Sequence, residues 1–131
     1  MNEYPVEYAS PVRAPLRVVS AGPAKVRATV TVDADEPAFA GHYPGFAIFP
    51  GACVLEYLHR ATLAGDFGDE QWELLKMKTV RFVGPVFAGD VLTIDVDVRR
   101  QGAQWIAAAT ARSVRGPVAS ADLRYTEGGR A

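Results

Sequence analysis

Residues 40–61 read AGHYPGFAIFPGACVLEYLHRA, and the change of character at Pro50-Gly51 decides how the chain is laid out. Before that pair, Gly41, Pro44 and Gly45 oppose regular structure and hold His42 on a stiff loop. After it, no proline intervenes from Gly51 to Ala64, and Gly65 offers a stop signal. Val54, Leu55, Leu58, Ala61 and Thr62 recur at helical spacing, so one helix is expected over this stretch. Ala52, Cys53 and Tyr57 leave it little polar surface, which predicts a helix enclosed on most sides. Glu56, His59 and Arg60 are then polar exceptions that need a reason.

Outward from this segment the pattern is β. Leu16 to Ser20 is a short β-prone run ended by Ala21-Gly22-Pro23, and Lys25 to Asp33 alternates with Val26, Ala28, Val30 and Val32 on one face. Downstream, Leu74 to Val83 alternates weakly, whereas Leu92, Ile94, Val96 and Val98 alternate cleanly. Trp105 to Arg115 and Val118 to Thr126 read as two more strands split by Gly116-Pro117. Residues 1–14, with Pro5 and Pro11, read as an extended arm, and residues 15–131 as a single domain. One helix followed by a meander is an α+β pattern, best met by a curved antiparallel sheet wrapped around one long helix. The open sheet edge calls for pairing with a second copy.

Composition bounds the function. A chain of 131 residues that is 49% hydrophobic and 22% charged suits one soluble domain. A net charge of −1 gives no global basic field for nucleic acid or an anionic membrane. No window approaches the roughly 20 apolar residues of a membrane span, and the N-terminus lacks the apolar stretch of a signal peptide. Cys53 is the single cysteine, so no intrachain disulfide forms. A cytoplasmic location is expected.

The chemistry concentrates near the helix start. His42 has an imidazole suited to general-base work. Glu56 has two readings: an i,i+4 ion pair with Arg60, stabilising an exposed helix by about 0.2–0.5 kcal/mol, or a desolvated carboxyl that burial favours in its neutral, proton-donating form. Gly51 occupies the helix N-terminus, where free amides and the helix dipole suit a thioester carbonyl gaining enolate character. A base, an acid and such a corner are the parts needed to eliminate water from a hydroxyacyl thioester. Glu56 and His59 form an E-x-x-H pair, but a metal site would require further carboxylate helices. Cys53 reads as packing. Phe39, Tyr43, Phe46, Phe49, Phe82 and Trp105 either line a channel for an acyl chain or belong to the core. Lys76, Arg81, Arg99 and Arg100 either form a docking patch for an acidic carrier or are a solvated strand face.

Gly41-His42-Tyr43-Pro44-Gly45, Pro50-Gly51 and Glu56 resemble the signature of the hot-dog-fold β-hydroxyacyl-acyl-carrier-protein dehydratases, and Val80-Arg81-Phe82, Gly84-Pro85-Val86 and Gly89-Asp90 resemble that family's next strand and turn. The resemblance covers about residues 25–126. It implies a homodimer, or a trimer of dimers, with His42 of one chain and Glu56 of the other over one substrate. His42 would take the C2 proton, and Glu56 would protonate or orient the C3 hydroxyl. The Gly51 amide would hold the thioester oxygen, and the Ile48 carbonyl would fix the histidine tautomer. The substrate would be a (3R)-hydroxyacyl thioester on acyl carrier protein and the product a trans-2-enoyl thioester, with no metal or redox cofactor. The resemblance implies fatty acid synthesis or a specialised polyketide or lipid pathway, and the departures at Tyr43, Ala47, Phe49 and Arg60 weigh against the primary fatty-acid role. Two alternatives stay open: a hot-dog thioesterase, and a non-catalytic module binding acyl chains or carrier protein.

Overall fold

The computed structural model describes residues 12–36, 49–65 and 72–127. In chain order they form β1 (Arg17–Ala21), β2 (Lys25–Thr31), α1 (Gly51–Leu63), β3 (Trp72–Phe82), β4 (Val91–Gln101), β5 (Gln104–Ser113) and β6 (Gly116–Glu127). The strands make one antiparallel sheet in the order β1-β2-β4-β5-β6-β3. One sheet packed about one helix is the hot-dog architecture that the resemblance implies.

Strict alternation explains the buried face. Val26, Ala28 and Val30 of β2 and Leu92, Ile94, Val96 and Val98 of β4 turn inward together. Midway along β5 and β6 the inward positions are small, where Ala109 faces Ala121 and Ala111 faces Ala119, before Leu123 and Tyr125 fill the far end. These alanines leave room for α1, which packs on β2, β4, β5 and β6. The helix supplies the volume with Cys53, Val54, Tyr57, Leu58, Ala61 and Thr62. Fully burying a side chain such as Leu58 contributes about 1.5–3 kcal/mol, so this face holds the helix in place. The opposite stripe, Ala52, Leu55, Glu56, His59, Arg60 and Leu63, stays partly or fully exposed in the single chain. The expected enclosure on most sides is therefore confined to one face.

Two segments differ from the sequence pattern. Gly116 and Pro117 begin β6, and the β5–β6 turn falls on Val114 and Arg115 instead. Gly116 has φ 126°, which its missing Cβ permits. The weak alternation of β3 comes from two register shifts against β6, at Leu74/Lys76 and Lys78/Arg81. Each shift turns the following residues over, so no single face stays apolar. The second bulge contains Thr79 at φ 54°, strained for a β-branched residue.

Residues 1–11 of the expected arm lie outside the described residues, but Val12 and Ala14 are buried in the core. Glu36 holds them there. Its carboxyl oxygens accept bonds from Arg13 N at 2.7 Å and Ala14 N at 2.6 Å, and the Tyr57 hydroxyl donates to the Ala14 carbonyl at 2.9 Å. Glu36 is 2% exposed, so its backbone partners replace water. Glu36→Ala would orphan both amides, and the expected loss is about 2–4 kcal/mol with faster hydrogen exchange at Arg13 and Ala14. Denaturant titration with amide exchange checks this; an unchanged midpoint would refute the anchoring role.

Candidate functional site

The first turn of α1 is unusually bare. Pro50 is the N-cap at φ −66° and ψ 147°, with no side-chain cap and no acidic residue in the first turn. Its carbonyl accepts from Cys53 N at 3.0 Å and Val54 N at 3.3 Å. Among the described residues, the Gly51 and Ala52 amides meet no acceptor. Two free N–H groups at the positive end of the helix dipole suit a carbonyl that gains negative charge. Glycine lets the Phe82 ring lie close; a side chain here would push it aside. A Cβ on Gly51 would come 2.7 Å from Cε1 and Cζ of Phe82, whose half-exposed ring ends β3. Phe82 thus forms an apolar rim beside the free amides.

Glu56 lies on the part-exposed stripe of the helix, its side chain 27% exposed. Arg60 Nε donates to its Oε2 at 2.9 Å, so the i,i+4 pair is formed. The guanidinium also lies 5.9 Å from the centre of the Tyr57 ring. His59, the other polar exception, shares a 2.8 Å hydrogen bond between its Nδ1 and the Tyr125 hydroxyl and stacks on that ring. That is a packing role, and no group of three or more His, Cys, Asp or Glu among the described residues is placed to hold a metal ion. Cys53 is buried, and desolvation, with the Glu36 and Glu56 charges adding to it, pushes its thiol up to about 11. It is an inert core residue, as its pattern indicates.

Phe49 is buried at 3% exposure and stacks on Tyr57 at 6.3 Å, while its N–H donates to the Val86 carbonyl at 2.7 Å. This ring belongs to the core beside the helix start. His42, Phe46 and Ile48 lie outside the described residues. Sequence reasoning overlooked two residues. Glu36 gives no structural signal in sequence, because nothing local marks a partner 22 residues upstream. Arg124 also escaped notice: on the outer face of β6 it sits beside Lys76 of β3 and opposite Ile106 of β5, which in turn faces Arg99 of β4. Three cations thus share one cross-strand row, and Arg124 Nε is buried without a partner. None of the three makes an ion pair among the described residues.

Known proteins agree with this layout. Residues 19–119 match the ApeI-like family, described as ApeI dehydratase. The chain is 36% identical over 89 residues to a 3-hydroxyacyl-[acyl-carrier-protein] dehydratase FabZ of Myxococcus xanthus, covering 62% of this chain and 58% of that one. It is 32% identical over 116 residues to the FabZ of Colwellia psychrerythraea, covering 82% and 77%. The chain therefore spans about three fifths to three quarters of the length of these relatives. The dehydratase heterocomplex ApeI:P from Xenorhabdus doucetiae superposes with a TM-score of 0.75 at 11% identity, over 88% of this chain and 99% of that one, which is a likeness of fold.

Burial lowers the pKa of His59 from 6.5, with Glu56 opposing the shift and Arg60 reinforcing it. The unfolded chain takes up this proton near pH 6.5 while the folded protein resists it. The stability tied to neutral His59 is therefore complete above that pH and declines as acidification proceeds below it. His59→Gln should flatten the stability profile between about pH 7 and pH 5; parallel profiles for the two proteins would contradict this.

Proposed function

The chain belongs to the ApeI-like dehydratase family, and from that premise we propose that it converts (3R)-hydroxyacyl thioesters on acyl carrier protein into trans-2-enoyl thioesters. The observation that carries this reading is the pairing of a bare helix N-terminus at Gly51 with a lone carboxyl, Glu56, on the open side of the same helix. Catalysis divides the work. The Gly51 amide holds the thioester oxygen and stabilises the enolate that forms as His42 removes the C2 proton. Glu56 delivers a proton to the C3 hydroxyl as the C–O bond breaks. The Ile48 carbonyl holds the imidazole in the tautomer that leaves its other nitrogen free to accept. Phe46 borders the acyl path, Phe49 backs it only from within the core, and no metal or redox cofactor takes part.

The working unit is a homodimer of the domain spanning residues 15–131, onto which the end of the N-terminal arm packs through Val12 and Ala14, with a trimer of dimers as a larger assembly. Two exposed features support pairing. The edge strand β3 leaves Leu75, Val80 and Phe82 in solvent, and α1 leaves Leu63 46% exposed on the stripe that carries Glu56. A second copy covering both would enclose this carboxyl at the seam. The setting is fatty acid synthesis or a specialised polyketide or lipid pathway in the cytoplasm. No described helix is long and apolar enough to cross a membrane.

A product assay and a mixing experiment test this together. Mass analysis of 3-hydroxyacyl carrier protein should show loss of one water with the thioester intact. Free acid would indicate a thioesterase, and binding without change a non-catalytic module. His42→Ala and Glu56→Gln should each abolish turnover. Equilibrating the two inactive variants should restore about a quarter of the wild-type rate, since half the dimers become mixed and each carries one intact site. A mixture that stays inactive would exclude a site shared between subunits.

Carrier docking falls to the row of Lys76, Arg124 and Arg99. Like charges at neighbouring cross-strand positions repel, and a chain of net charge −1 gains nothing structural from leaving three of them unpaired. An acidic carrier surface would relieve the repulsion. Arg124→Glu should raise KM for the carrier-bound substrate by about tenfold or more while leaving KM for the free pantetheine thioester unchanged. Equal effects on both substrates would count against docking there.

A further inference from the structure

Resting on the dehydratase reading above, we propose that Arg60 is a positioning residue that fixes which oxygen of Glu56 meets the substrate. Arg60 Nε donates to Oε2 at 2.9 Å, and no described donor reaches Oε1. The guanidinium is itself held against the Tyr57 ring at 5.9 Å. That ring is fully buried, tied by its hydroxyl to the Ala14 carbonyl and stacked on Phe49. An ordinary surface pair at this spacing loses its geometry to side-chain motion. Here one partner leans on a ring anchored in the core, so the carboxyl inherits a fixed direction.

The consequence is chemical. Oε2 is engaged as an acceptor, so a proton carried by Glu56 sits on Oε1. In the forward reaction the C2–H bond breaks and its proton passes to His42, and the released electron pair forms the C2–C3 double bond. The C3–O bond breaks, and the Oε1 proton joins the departing oxygen, so water leaves. Glu56 is then a carboxylate whose new charge faces a guanidinium already in place, with no reorganisation needed at that moment. His42 returns its proton to solvent and Glu56 regains one, closing the cycle. Arg60 therefore aims the proton and receives the charge left behind.

A double-mutant cycle on the full-length protein tests this, read as kcat and KM for dehydration together with the thermal midpoint. Arg60→Met keeps the aliphatic stem and removes every donor. It should lower kcat about tenfold with KM and the midpoint nearly unchanged. Arg60→Gln, whose amide N–H still donates, should recover most of the rate. In a Glu56→Asp background, where the shorter side chain keeps an acid but draws it back from the guanidinium, Arg60→Met should cost little further, because its effect passes through the carboxyl. Wild-type kcat in Arg60→Met, or effects that multiply in the double variant, would overturn the role. A wild-type protein that fails to dehydrate would instead remove the reading beneath it, so the two failures are distinguishable.

Discussion

The burial of one face of α1 against the alanine-lined strands β5 and β6 sets the position of everything else. Ala109, Ala111, Ala119 and Ala121 make a shallow part of the sheet's inner face, and the helix lays its buried side, with Tyr57 and Leu58, against the sheet. Interiors pack to near-crystalline density, so a helix seated this way has little freedom to rotate or slide. Its N-terminal amides are then held at one place, beside the Phe82 ring that ends β3. Its opposite stripe, with Glu56, is turned outward by the same fit. The site is a by-product of how the core closes.

Tyr57 links that core to its polar surroundings. The ring packs in the interior, the hydroxyl ties down Ala14 and approaches Glu36 at 3.5 Å, and the outer edge supports Arg60. Burial and the neighbouring Glu36 raise the pKa of the tyrosine hydroxyl, so it stays protonated and remains a donor. Glu36 is tolerable inside the protein because two backbone N–H groups meet its oxygens. On the outside of the sheet the charges follow another rule. Asp95 accepts from both Arg27 and Arg112, which neutralises the middle of that face, while the row from Arg99 to Lys76 is left unbalanced.

Strand β3 shows what an edge costs. Two bulges and a left-handed Thr79 break its ladder with β6, and Leu75, Val80 and Phe82 face water. An isolated sheet with such an edge invites association. The bulges limit that invitation to short straight segments, which favours a defined partner over open-ended stacking.

Much of this was legible in residue order. Alternation along Val26 to Val32 and Leu92 to Val98 sets two strands and their inward faces, because side chains on a strand turn over at every residue. The proline-glycine pair at 50–51 marks the helix start, and the loop box with the acid fourteen residues after its histidine marks the family. The strand β3 blurred because bulges defeat a period of two, and the turn at Val114-Arg115 was misplaced because glycine and proline can also open a strand. What only the tertiary structure decided are contacts between residues distant in sequence: Glu36 with Arg13 and Ala14, Phe82 over Gly51, and three cations in one row across β4, β6 and β3. Local order carries propensity and period, whereas these depend on strand register and on how closely a helix lies upon a sheet, quantities that exist only once the chain has closed on itself.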